Sequence, residues 1–185
     1  MKLYEVNVMP FKFDNLDETT RKMMMDEVQL DRSGGLFYLS RRFNSQGRQN
    51  YPNLLLTAMR EGTEQTLTEA LRQNCFEVTE LRRTPKGDTN MVNVPENAPE
   101  MFAEGEFNRF YIRALCLRMI NGEAGQLEIY RAKEVGHPRS TSEQRIGKVI
   151  DPRILLSDLR ANPGTDTAFG LPPGPNSGLS VRIKK

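Results

Sequence analysis

Apolar and polar side chains alternate at the start of the chain. In LYEVNVM, Leu3 to Met9, the residues Tyr4, Val6 and Val8 fall on one side and Glu5 and Asn7 on the other. A period of two predicts a half-buried strand. Past Pro10 the period lengthens: Asp14, Asn15 or Asp17 can cap a helix with an acidic first turn, and Met23, Met24 and Val28 recur at helical spacing. That predicts a helix from about Asp17 to Leu30, stopped by Ser33-Gly34-Gly35. The aromatic-rich run Leu36 to Ser40 reads as a second strand.

From Asn50 to Asn74 the spacing predicts two helical pieces divided at Gly62, with Pro52 near the first turn of one and Thr66 with Glu69 as a capping box for the other. A hairpin follows, Cys75 to Arg83 and Thr89 to Val94, around the turn residues Pro85, Lys86, Gly87 and Asp88. Then Phe107, Phe110, Tyr111, Ala114, Leu115 and Arg118 fall at i, i+3, i+4, i+7, i+8 and i+11, a broad apolar stripe that makes this the central packing helix, stopped by Asn121-Gly122. Gln126 to Val135 reads as a strand and the stretch around His137 as a polar loop. Asp151-Pro152 opens a last short helix that ends at Pro163-Gly164.

Strands and helices mix without regular βαβ alternation, and no internal repeat is visible. The expected fold class is α+β, with a mixed or mostly antiparallel sheet packed on the central amphipathic helix. Residues 1–162 read as one globular domain. Residues 163–185 read as an arm rich in proline and glycine, ending in a short alternating strand, LSVRIKK, that adds to its own sheet or to that of another chain.

Composition narrows the function classes. Hydrophobic residues make up 37% of the 185 and charged residues 27%, on the polar side of globular usage. No apolar run reaches the roughly 18 residues of a membrane span, and the first ten residues lack a signal-peptide core, so the expectation is a cytoplasmic protein with no membrane partner. Cys75 and Cys116, 41 positions apart, form neither a metal knuckle nor a redox pair and read as buried thiols. The net charge of +2 hides an asymmetry, −3 over residues 1–105 against +5 over 106–185. An anionic partner would sit on the second part.

Much chemistry is absent. His137 is the only histidine, which rules out multi-histidine metal sites within one chain. No nucleophile elbow appears, and no lysine follows an acid at the two-residue spacing of metal-dependent nucleases. Arg139 to Glu143, RSTSE, resembles the Ser-Thr-Ser element of arginine-specific ADP-ribosyltransferases, but the Glu-x-Glu pair that should follow it, Glu104-Gly105-Glu106, precedes it inside a predicted helix. The closing GPNSGLS has Leu179 where a phosphate-binding loop needs lysine, and its prolines remove amide donors. No cofactor and no metal is expected. An enzyme assembled from dispersed acids and arginines stays open, with the balance against it.

Two features point to binding. Leu54 to Gln73 resembles a helix-turn-helix in outline, yet Thr57, Glu61, Thr63 and Thr68 stand at apolar places, and Glu64 and Glu69 would face the duplex. That favours a helical hairpin packed on the sheet. Arg109 and Arg113, four apart on the central helix, with Arg131 and Lys133 on the next strand, could grip an anionic partner, either nucleic acid or an acidic protein surface. Arg118 falls within the apolar stripe and needs a counter-charge, with Glu104, Glu106 or another acid as candidates. In the arm, Arg182, Lys184 and Lys185 are the candidate contacts through which a homo- or hetero-oligomer could form. The alternative to a non-enzymatic binding protein is a structural or assembly subunit that docks through this proline-rich arm; the segment FKFDNLDETTRKMMMDE, Phe11 to Glu27, is loosely similar to the starts of small phage-type proteins and names no family.

Overall fold

The computed structural model describes residues 9–164, Phe169 and residues 177–185. The strand expected at Leu3 to Met9, apart from Met9 itself, and most of the expected arm lie outside the described residues.

Helix α1 (Glu18–Ser33) begins where the Asp17 carboxylate accepts the Thr20 amide at 2.9 Å, and it ends at Gly34. Asn44 caps α2 (Ser45–Glu61) by accepting the Gly47 amide at 2.8 Å. Pro52 sits inside α2 and not in its first turn. The next capping box also lies earlier than the sequence suggested: α3 (Glu64–Arg72) is opened by Thr63 and Thr66, each side chain serving the other's backbone.

The hairpin is present, with β1 (Thr79–Arg83) antiparallel to β2 (Thr89–Asn93). Gly87 takes the left-handed φ of 95° that its tight turn requires. Helix α4 (Ala98–Ile120) is the axis of the protein, with α1, α3, α6 (Pro152–Ala161), β3 (Gln126–Arg131) and β4 (Leu179–Lys184) all packed on it. Its expected stripe widens to nearly the whole circumference. Phe107, Phe110, Tyr111, Ala114, Leu115 and Cys116 are buried, and so are the charged Glu104, Glu106, Arg109 and Arg113.

Three further expectations change. Leu36 to Ser40 forms no strand: Phe37 stacks on Tyr51 and Tyr38 on Phe102, so the run packs as irregular chain against helices. Its aromatic content serves packing without a ladder. The loop after β3 contains one short helix, α5 (Ser140–Glu143). Helix α3 packs on α4, and α2 on α1 and α3, neither of them on a sheet, with Leu67 and Leu71 fully covered.

The fold is α+β, with two small antiparallel sheets in place of a single larger one. Strand β4 pairs with β3 in the register Ile129↔Val181, so the terminal strand adds to its own sheet. Residues 147–150 extend the other side of β3 through Ile129 N to Lys148 O and Ile150 N to Leu127 O, both 2.9 Å. The outer edge of β4 is closed by side chains: Ile183 N donates to Asn15 Oδ1 and Asn108 Nδ2 donates to Leu179 O, each at 2.9 Å. Another strand would have to displace them. Among the described residues no helix is long and apolar enough to cross a membrane.

Candidate functional site

The arginines of α4 define an interior and not a surface. Arg113, with no exposed area, donates from Nε to Glu27 at 2.7 Å and from both terminal nitrogens to Asp31 at 2.7 and 2.8 Å. Arg160 of α6 reaches the same Glu27 from the other side, at 3.0 Å from Nε. Arg109 holds Glu106 through two bonds of 3.1 and 2.7 Å, and Tyr51 donates to that carboxylate at 3.2 Å. Phe110 lies beneath both guanidiniums, with ring-centre distances of 4.6 and 4.9 Å.

Three acids and three arginines therefore balance one another, all buried except the partly exposed Arg160. Burial works against the charge on Arg109, but Glu106 more than reverses it, and the net shift is upward. Burial, followed by the Glu106 charge, pushes the Tyr51 hydroxyl well above its ordinary range. This cluster fixes how α1, α4 and α6 sit together.

The expected anion-gripping face of α4 is thus corrected: Arg109 and Arg113 do share a face, and it points at acids of the same chain. A signal for this existed in the sequence. Glu27 and Asp31 lie at i+3 and i+7 from Met24, on the same stripe as Val28, so two acids were already placed on the buried side of α1.

The remaining candidates are also engaged. Arg131 donates to Ser177 O at 2.7 Å and pairs with Glu143. Lys133 pairs with Glu104 and lies 3.3 Å from Glu100. Arg118 pairs with Asp17 and Glu123, not with Glu104 or Glu106. In the terminal strand Arg182 binds Glu128 at 2.8 Å and Asp14 at 3.2 Å, while Lys184 binds Glu128 at 2.6 Å. Lys185 stays exposed at the end of β4. The arm contacts serve, with that exception, to fasten β4 to its own domain.

Among the described residues, the outer face of the β1–β2 hairpin is a surface left unengaged. Cross-strand partners share a face, so Thr79, Leu81 and Arg83 lie beside Asn93, Met91 and Thr89. Leu81 and Met91 face one another at the centre and are 68% and 62% exposed. The opposite face is anchored, because Glu80 takes Arg42 in a two-pronged pair of 2.7 and 2.9 Å and also Arg82 at 3.0 Å. Those six outward positions include no acid, and Arg83 and the turn residue Lys86 have no acidic partner among the described residues. Both outer edges of the hairpin lack a further strand among the described residues. Sequence reading located the hairpin but could not say which face was covered, since each face carries apolar residues and one arginine: Leu81 and Met91 with Arg83 on one, Val92 with Arg82 on the other.

The chain matches no family model, no curated protein and no solved structure. Among the described residues no three metal-ligating side chains come together.

Proposed function

We propose that the protein is a non-enzymatic binding module that engages an acidic protein surface through the outer face of the β1–β2 hairpin. The observation that carries this reading is the cross-strand pair Leu81 and Met91, exposed on a hairpin face whose one charged residue is the cation Arg83. A two-stranded hairpin is marginal in water, and a large exposed aliphatic pair at its centre suits a contact that removes it from solvent. Arg83 at one end of that face favours carboxylates in the partner. An apolar centre favours protein over nucleic acid, where phosphate contacts dominate and an aliphatic pair gains little. The module works in the cytoplasm on this reading, in keeping with two cysteines kept as buried thiols and not joined in a disulfide.

The test is fluorescence anisotropy of the full-length protein with two labelled probes: a peptide alternating glutamate with leucine, and a DNA duplex of about two helical turns. Peptide binding that falls about tenfold or more in the Leu81→Ser/Met91→Ser double variant, and weakens in Arg83→Glu, is the expected result. Absence of peptide binding, or peptide binding indifferent to these substitutions, overturns the reading. Duplex binding with a steep salt dependence would replace it with a nucleic-acid role.

A further inference from the structure

Away from the hairpin face, an open cleft lies between α3, the first turns of α4 and the chain at Met9 and Pro10, and four glutamates line it. Glu64, the first residue of α3, is 2% exposed. Its Oε1 accepts the Phe11 amide at 2.9 Å, whereas its Oε2 is buried with no donor. A carboxylate oxygen in that position lacks the bond that would offset its lost hydration.

The other charges of the cleft do not supply one. Lys133 is committed to Glu104 and Glu100, and the Arg72 guanidinium lies 3.6 Å from Glu100. Glu69, on the exposed side of α3, has no ion pair among the described residues. Two cations thus serve four acids, and the two acids of α3 are the ones left over. Thr68 also lines the cleft one turn from Glu64, and its hydroxyl, which donates to Glu64 O at 2.8 Å, keeps acceptor capacity.

We propose that this cleft binds an alkylammonium group, with its N–H donors directed to Glu64, Thr68 and Glu69 and its carbon chain lying along Met9 and Pro10. The choice of cation follows from the acceptors. A guanidinium prefers both oxygens of one carboxylate, and Glu64 has already given Oε1 to the backbone. An ammonium is a point charge with three separate donors and fits single oxygens on different side chains. A divalent metal would need several oxygen ligands around one point, which the described residues do not assemble. The amine can belong to a free diamine or to a lysine side chain of another protein; the chemistry recognised is the same.

Bound ammonium would hold Glu64 ionised. Burial pushes this carboxyl above its ordinary value of 4.5, the Phe11 amide and Lys133 only partly opposing it. Glu104, also raised by burial, Glu69, Glu100 and Arg72 are the other charged groups lining the cleft, and Lys133, paired with Glu104, acts on Glu64 from beside it. Amine affinity therefore rises as pH climbs from 4.5 through the raised value of Glu64, and binding in that range releases a proton.

Isothermal calorimetry of the full-length protein with 1,5-diaminopentane and, separately, with Nα-acetyl-lysine amide tests this. Saturable binding is expected for at least one: binding of the diamine alone assigns a free polyamine, and binding of the lysine derivative assigns a protein side chain. Glu64→Gln, which keeps the acceptor for the Phe11 amide, should weaken binding about tenfold or more. Glu69→Gln should weaken it several-fold, and Glu96→Gln, an exposed control, should leave it unchanged. Should Glu64→Gln fail to fold by circular dichroism, Glu69→Gln and the proton release seen in two buffers decide. No saturable heat with either amine, or equal weakening by Glu69→Gln and Glu96→Gln, overturns the assignment.

Discussion

The guanidinium of Arg113 and the carboxylate of Asp31 meet through two parallel hydrogen bonds of 2.7 and 2.8 Å, joining α4 to α1 where the arginine has no exposed area. Such a pair is unforgiving of partial removal. Arg113→Met leaves Asp31 without its strongest partner and should lower unfolding free energy by about 3–5 kcal/mol. Asp31→Leu alone should also destabilise, because it strips Arg113 of two bonds. The double variant should recover part of the loss, since removing both charges removes the unpaired one. Urea melts of the four proteins read this coupling, and additive losses would show that the pair does not act as a unit.

Two glycines in helices should respond in opposite directions to alanine. In the first turn of α2, a Cβ on Gly47 would lie 2.0 Å from the Cys75 carbonyl oxygen, which also accepts the Asn44 amide at 3.1 Å. Neither backbone can yield without breaking the α2 cap, so Gly47→Ala should cost about 1–3 kcal/mol or prevent folding. Gly105 is exposed within α4 and a Cβ there meets nothing within 4 Å. Gly105→Ala should stabilise by about 0.5–1 kcal/mol through helix propensity. Thermal melts with the same sign for both would contradict the geometry.

Which parts of this could be read in the sequence follows from the range of the interactions involved. The α1 cap, the Asp151 cap and the Pro85–Asp88 turn are local chemistry: the latter two stand where the residues placed them, and of the three candidates Asp14, Asn15 and Asp17 the cap is Asp17. The long apolar period of α4 correctly made it the central helix. What it could not reveal was partner choice at long range: Arg113 meets Glu27 and Asp31 across 86 and 82 positions. Counting arginines on one face gives the face and not its direction. The same limit applies to Leu36 to Ser40, whose aromatic residues fit a strand equally well until Tyr51 and Phe102 are there to stack on.

The hairpin offers a test by acid. Glu80 accepts two bonds from Arg42 and one from Arg82, and these, with Arg42 the larger cause, hold its carboxyl down at about 2 against an ordinary value of 4.5. A depressed folded-state value means that the contribution to stability is complete above 4.5 and is lost as pH falls through about 2. The hairpin should therefore keep its anchor to Arg42 at pH 3, where an ordinary glutamate is already protonated. Carbon-13 titration of the Glu80 carboxyl should give a midpoint near 2 in the wild type, moving toward 4.5 in Arg42→Ala. Glu64 and Glu104, raised by burial, run in the opposite sense: their ionisation weighs against the fold, and protonation as pH falls relieves it. A wild-type midpoint near 4.5 for Glu80 would remove the Arg42 pair, and with it the reason why one face of the hairpin is held and the other presented to solvent.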